Sequence, residues 1–326
     1  MMDDGLKKEW EEFSSSTGDQ VDEETHIWLL RQLKKPDGPV DVVLDTDTYN
    51  EIDDQYALAY LIRSDEKLRL KAIYAAPFTN YKAQSPSEGM EKSYDEIINV
   101  LRLMGRVDLE SKVYKGSEEY LPDEKTPVVS EAAKDLAKRA MEYSEENPLY
   151  VIAIAAITNI AAALLINPEI RNRIVLIWLG GNALDWPNNK EFNLYQDIAG
   201  ARVVFGSRIP LVQLPCMGVV SAFTVSGPEL NYHLKGKNDL CDYLVRVTEE
   251  EAIACGGGIT WSRPIWDVTA VAWLLGQDFM EDRLEYAPIP EYDDRYAYSK
   301  NRHFYKYVYY INRDGLLEDL VKKLTR

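Results

Sequence analysis

The sequence predicts an α/β fold: a mostly parallel central sheet flanked by helices. Three observations predict it. Apolar, strand-like runs recur along the chain, helical patterns fill the intervals between them, and a cluster of acids sits where the first run gives way to a helix. Strand alternating with helix is the signature of parallel strands joined by crossovers, with both faces of the sheet covered.

The strand-like runs fall at 40–44, 70–75, 149–155, 174–179 and 209–214. Helical patterns lie between them at 55–63, 93–104, 130–143, 159–165 and 197–205. Residues 1–35 are charged and helical in pattern, with Trp10, Phe13, Ile27, Leu30 and Leu33, until Pro36-Asp37-Gly38-Pro39 breaks the chain. Residues 1–37 therefore read as a helical N-terminal extension and 38–326 as a single α/β domain. Alternation at Tyr305, Tyr307 and Tyr309, within a tyrosine-dense segment, suggests an edge strand or hairpin. Tyrosines suit a subunit contact.

Composition narrows the function. The 326 residues carry 54 acidic and 37 basic side chains, a net charge of −17. A phosphate backbone or an anionic membrane would be repelled, so neither nucleic acid nor membrane is an expected partner. Three cysteines, Cys216, Cys241 and Cys255, fit neither a zinc site nor a disulfide framework. The N-terminus lacks the apolar stretch of a signal peptide, and no apolar run comfortably spans a bilayer. A cytoplasmic protein is expected.

The most informative stretch is Leu44-Asp45-Thr46-Asp47-Thr48-Tyr49-Asn50-Glu51-Ile52-Asp53-Asp54, at the junction of strand and helix. Open α/β sheets place ligands at such junctions. A hard cation with oxygen ligands is the simplest way to neutralise four aspartates this close. A solvated turn with one Asp capping the helix is the plainer reading. Three further pieces follow. Ile157-Thr158-Asn159-Ile160-Ala161 is another strand-to-helix junction, where Thr158 or Asn159 could cap. The loop from Gly180 to Asp197 delivers Asn182, Asn188, Asn189, Glu191 and Asn193, amide and carboxylate groups that suit sugar hydroxyls. Glu191 and Asn193 would share a face if extended, with Phe192 anchored to the core. Finally, Trp266-Asp267 opens an apolar helix, Val268-Thr269-Ala270-Val271-Ala272, and Asp267 alone would read as its cap.

In this order the four pieces resemble the nucleoside hydrolase family of the inosine-uridine-preferring type. The resemblance implies a Rossmann-like core and hydrolysis of the N-glycosidic bond of ribonucleosides to free base and ribose. It implies a bound calcium ion held by Asp47, Asp54, the backbone carbonyl of Thr158 and Asp267. It gives Asp53, Glu191 and Asn193 to the ribose, with Asn182 beside them, and makes Asp47 the base that takes a proton from water. Asp45 more naturally shapes the turn. A homo-oligomer, dimer or tetramer, is implied as well.

Two departures stand out. Five residues, Thr48 to Ile52, separate Asp47 from Asp53 where the family commonly has three, and the usual Pro-Gly is missing. Trp266 occupies the position of a leaving-group histidine, and none of His26, His233 and His303 falls in a matching motif. Such a tryptophan resembles the purine-specific branch, where stacking assists the leaving base. The second stacking partner could be Trp186, Tyr49 or Tyr81. Two other readings stay open at this point: a nucleoside- or ribose-binding protein without turnover, and a magnesium-dependent haloacid dehalogenase-like phosphohydrolase using Asp45-Thr46-Asp47.

Overall fold

A computed structural model describes Gly5, Lys8 and residues 23–276, 278–299 and 301–326. Trp10 and Phe13 lie outside the described residues. Among the described residues, eight strands form the main sheet. They are β1 (Val40–Thr46), β2 (Leu68–Ala75), β3 (Val113–Lys115), β4 (Leu149–Ala153), β5 (Ile174–Leu179), β6 (Leu211–Leu214), β9 (Met280–Tyr286) and β12 (Phe304–Ile311). Their order is β3-β2-β1-β4-β5-β6-β12-β9. Only β9 runs antiparallel to its neighbour. Two small pairs lie outside it, β7 (Thr224–Ser226) with β8 (Ser262–Pro264) and β10 (Ile289–Glu291) with β11 (Arg295–Ala297).

The mostly parallel sheet is as expected, and one strand placement is not. The tyrosine-rich strand β12 is not at the rim: it lies between β6 and β9, and Tyr305 and Tyr307 are buried. Its pairing with β9 adds the antiparallel edge that the alternating tyrosines hinted at.

Period-two side chains divide the core into two layers. In β1, Val42 and Leu44 enter one cluster and Val43 the other; in β5, Val175, Ile177 and Leu179 oppose Ile174, Leu176 and Trp178. Each such buried side chain contributes about 1.5–3 kcal/mol. One face is covered by α1 (Glu23–Gln32), α2 (Asp53–Ile62), α3 (Pro86–Leu103), α9 (Asp239–Ala254), α10 (Val268–Leu275) and α11 (Arg313–Leu324). The other is covered by α4 (Glu131–Arg139), α5 (Thr158–Ile166) and α7 (Ile198–Gly206). A short α6 (Phe192–Gln196) precedes α7, and α8 (Gly227–His233) follows β7. Helix α1 sinks Ile27, Leu29 and Leu30 into the first cluster, so this part of the N-terminal segment belongs to the common core. No described helix is long and apolar enough to cross a membrane.

This topology fixes where chemistry can occur. Strand order reverses at β1, which has β2 on one side and β4 on the other. Connections leaving β1 and β4 diverge there and open a crevice at the carboxyl ends of the strands. One wall of it rests on a close contact. Gly89 in α3 packs so tightly that a Cβ would run into the backbone of Phe78, in the loop that leads to Asn80 and Tyr81. Gly89→Ala is expected to lower stability by about 1–3 kcal/mol through overpacking, read as a reduced urea midpoint. A variant as stable as the parent would show that the loop yields freely.

Candidate active site

A cleft of about 380 Å³ opens at the strand carboxyl ends, lined by Asp47, Asn50, Glu51, Asp53, Asp54, Asn80, Tyr81, Ile154, Leu179, Asn182, Lys190, Glu191, Phe192, Asn193, Cys216, Met217, Trp266 and Asp267. A larger depression of about 540 Å³ lies between Ser144 and Arg173 and contains none of these residues. The cleft is the better candidate because buried, charge-bearing groups converge there.

Asp53 and Asp54 occupy the first turn of α2, whose N-cap is Ile52, so neither serves as a cap. Asp267 is the N-cap of α10, yet its carboxylate makes no capping bond. Instead, ligand oxygens of Asp53, Asp54 and Asp267 lie within 4.8 Å of one another. All three side chains are buried, as is Asp47. The Asp267 backbone N–H donates to Asp53 Oδ2 at 3.1 Å, and the Thr46 hydroxyl donates to Asp54 Oδ1. Asp47 Oδ2 is buried without a partner. Burial, reinforced by the neighbouring carboxylates, pushes Asp47, Asp53 and Asp267 well above the usual carboxylate range. An all-oxygen donor set with an orphaned buried oxygen fits a hard divalent cation.

Two of the residues expected as ligands or ribose contacts are placed differently from the sequence-based arrangement. Asp53, expected on the ribose, joins Asp54 and Asp267, while Asp47 stands beside the trio, close enough to raise Asp267. Thr158 does not line the cleft: its hydroxyl donates to Asp197 Oδ2 at 2.6 Å, and its carbonyl falls inside the first turn of α5. From that junction it is Ile154, one residue past β4, that reaches the wall. Asp45 lies behind the cleft, where Asn159 Nδ2 donates to its Oδ1 at 2.8 Å and burial raises its pKa to about 7.

The sugar-suited residues line the same cleft through different local structure. Glu191 and Asn193 do not share an extended segment. Glu191 is the N-cap of α6, accepting from Asn193 N (3.0 Å), Leu194 N (2.9 Å) and Gly181 N (2.8 Å). Asn193 lies within α6 and donates to the Leu179 carbonyl. Leu194, not Phe192, is the core anchor; Phe192 is half-buried on the cleft wall. Asn182 is fixed by Asn188 and Met217. Trp266 lines the cleft with its Nε1 unpartnered. Of the three proposed stacking partners, only Tyr81 joins the wall.

The longer loop after Asp47 is firmly held. Asn50 accepts from Asn80 Nδ2 (2.8 Å) and from Lys82 Nζ (2.9 Å), and Glu51 pairs with Arg263 at 2.7 Å. It brings Asn50 and Glu51 onto the cleft wall. Asn80, Ile154, Cys216 and Met217 were missed in the sequence. The available signal was positional, since each follows the end of a parallel strand.

A model of the family described as inosine-uridine preferring nucleoside hydrolase matches residues 42–295. The chain belongs to the inosine-uridine preferring nucleoside hydrolase family. The pyrimidine-specific ribonucleoside hydrolase of Citrobacter koseri is 23% identical, over 80% of this chain and 95% of that protein. Among solved structures, a plant nucleoside hydrolase aligns with a TM-score of 0.68 at 17% identity, covering 88% of this chain and 99% of that one. A purine-preferring ribonucleoside hydrolase from Gardnerella vaginalis aligns at 0.64 and 18%, covering 87% and 98%. These likenesses share the fold. Family membership makes this hydrolase an N-glycosidase acting on ribonucleosides. The phosphohydrolase and non-catalytic readings fall with it. Asp45 is outside the cleft, and Asp267, which a dehalogenase-like site would leave idle, joins the acid cluster.

Burial raises Glu191 from its ordinary value near 4.5 to about 7, against the three N–H groups that lower it. Between those values the folded protein keeps a proton that the unfolded chain has lost. Stability therefore declines as pH rises from about 4.5 to 7, by about 3 kcal/mol from this group. In chelator-treated protein, Glu191→Gln should flatten the fall in urea midpoint between pH 5 and 7. An unchanged slope would exclude Glu191 as its source.

Proposed function

We propose that this hydrolase is calcium-dependent and purine-leaning, with residues 38–326 acting as one catalytic domain. The observation that carries the reading is convergence: the Asp53–Asp54–Asp267 cluster, Asp47 with its orphaned oxygen, the sugar-suited Asn182, Glu191 and Asn193, and Trp266 all face one cleft. Asp53, Asp54 and Asp267 would hold the ion with Asp47 beside them, and the backbone carbonyl of Ile154 takes the part first given to Thr158. Bound there, calcium supplies a water of lowered pKa and a charge for the ribose hydroxyls.

The chain's own groups do the rest. Asp47 takes the proton of the attacking water on its unpartnered Oδ2. Asn182, Glu191 and Asn193 orient the ribose, so that C1′ faces Asp47. The surrounding carboxylates stabilise positive charge as the sugar becomes oxocarbenium-like. Trp266 offers a broad face for stacking, and the two rings of a purine cover more of it than a pyrimidine does. A homo-oligomeric state and a cytoplasmic location complete the proposal.

Purified protein incubated with calcium and inosine, adenosine, guanosine or uridine should release free base, faster from the purine nucleosides; no release from any of them rejects the catalytic assignment. Asp47→Asn should lower kcat by about 10²- to 10⁴-fold while ribose binding persists. Asp54→Ala and Asp267→Ala should each reduce bound calcium in elemental analysis. Calcium content equal to that of the parent would remove them as ligands.

A further inference from the structure

The charge of the cleft exceeds what an ion and a neutral ribose can use. Its walls carry six carboxylates, Asp47, Glu51, Asp53, Asp54, Glu191 and Asp267, against one lysine, Lys190. A divalent cation would offset two negative charges. Arg263, 2.7 Å from Glu51, offsets another, and Lys190 a fourth. With Glu191 about half protonated near pH 7, an excess of negative charge still remains, in a low-dielectric recess that strengthens its field. Asp47 Oδ2 is buried, unpartnered and on the wall. Trp266 adds an aromatic face to the same wall, and such a face attracts cations.

Proton donors free to serve a leaving base are scarce there: Glu191, raised to about 7, has its two oxygens turned to three backbone N–H groups. No histidine lines the cleft among the described residues. The Tyr81 hydroxyl is engaged by Glu251, and burial pushes the Cys216 thiol upward, away from easy proton release. A neutral base leaves as an anion unless it is protonated, and here it would face uncompensated negative charge. A base that is already cationic has neither difficulty.

Resting on the hydrolase reading above, we infer that the cleft favours N-ribosides whose base carries a fixed positive charge in its ring, namely pyridinium ribosides and N7-alkylated purine ribosides. In the reaction, the water oxygen bonds to C1′ and its proton passes to Asp47. The C1′–N bond breaks, and its electron pair moves into the ring and cancels the ring charge. Ribose and a neutral base leave, and Asp47 returns its proton to solvent. One positive charge stays in the cleft throughout, first on the base and then on the sugar, so the same carboxylates favour both the bound substrate and the transition state.

Two measurements test this. With calcium present, kcat/KM is compared for nicotinamide riboside and nicotinic acid riboside, whose leaving groups are both pyridinium but differ by a carboxylate, and for 7-methylguanosine and guanosine, each relative to its uncatalysed rate. At least a tenfold preference for nicotinamide riboside, and a clear preference for 7-methylguanosine, is expected. Without metal, tryptophan fluorescence should report 1-methylnicotinamide binding at least fivefold tighter than neutral nicotinamide, with the difference reduced in Trp266→Leu and kept in Trp266→Phe. Cleavage of neutral nucleosides with no cationic preference overturns this inference and leaves the hydrolase reading standing. No cleavage of any riboside overturns both. Equal binding of the cationic and neutral amides also overturns it.

Discussion

Asp47, Asp53, Asp54 and Asp267 are buried side by side on one cleft, and charges of one sign so placed repel. Unpaired, each would cost several kcal/mol to bury. The fold offsets part of that cost itself. The N-terminal ends of α2 and α10, with their partial positive charge, adjoin the cluster. The Thr46 hydroxyl and the Asp267 N–H donate into it. What is left over must be met by a cation or by retained protons, and catalysis draws on the same imbalance. The crevice at β1 and β4 matters because it lets residues more than 200 positions apart contribute to one such cluster.

Much of this was legible before the fold was known. The alternation of apolar runs and helical patterns placed β1, β2, β4, β5 and β6 within a few residues, because buried parallel strands need continuous apolar side chains. The acids after β1 and the Asn182–Asn193 loop could be singled out because polar residues directly after an apolar strand have few structural reasons to be there. The misses have physical causes. Nothing in Ile154 advertises a wall residue, because a backbone position carries no side-chain signature. Glu191 and Asn193 followed helical rather than extended spacing, since a carboxylate that caps a helix forces the turn to begin at once. Strand β12 read as an edge because its tyrosines alternate, yet Tyr305 and Tyr307 are buried in one layer while the residues beside them, Phe304 and Val308, fill the other.

The inserted residues after Asp47 change the character of the cleft more than its location. Asn50 and Glu51 are tied to Asn80, Lys82 and Arg263, and Lys82 is tied in turn to Glu251 in α9. Four separate chain segments are thus joined around the mouth by polar contacts. These bonds are partly buried, so salt screens them less than it would surface pairs. A loop of that kind holds side chains against the ligand instead of folding over it.

Glu191 already serves three backbone donors with its two oxygens, and a carboxylate offers about four acceptor positions in all. A single vacancy remains, enough to read one hydroxyl and too few to grip a vicinal pair. Any ligand that demanded a second bond from this side chain would have to displace one of those three donors, either the Gly181 N–H or one in the first turn of α6.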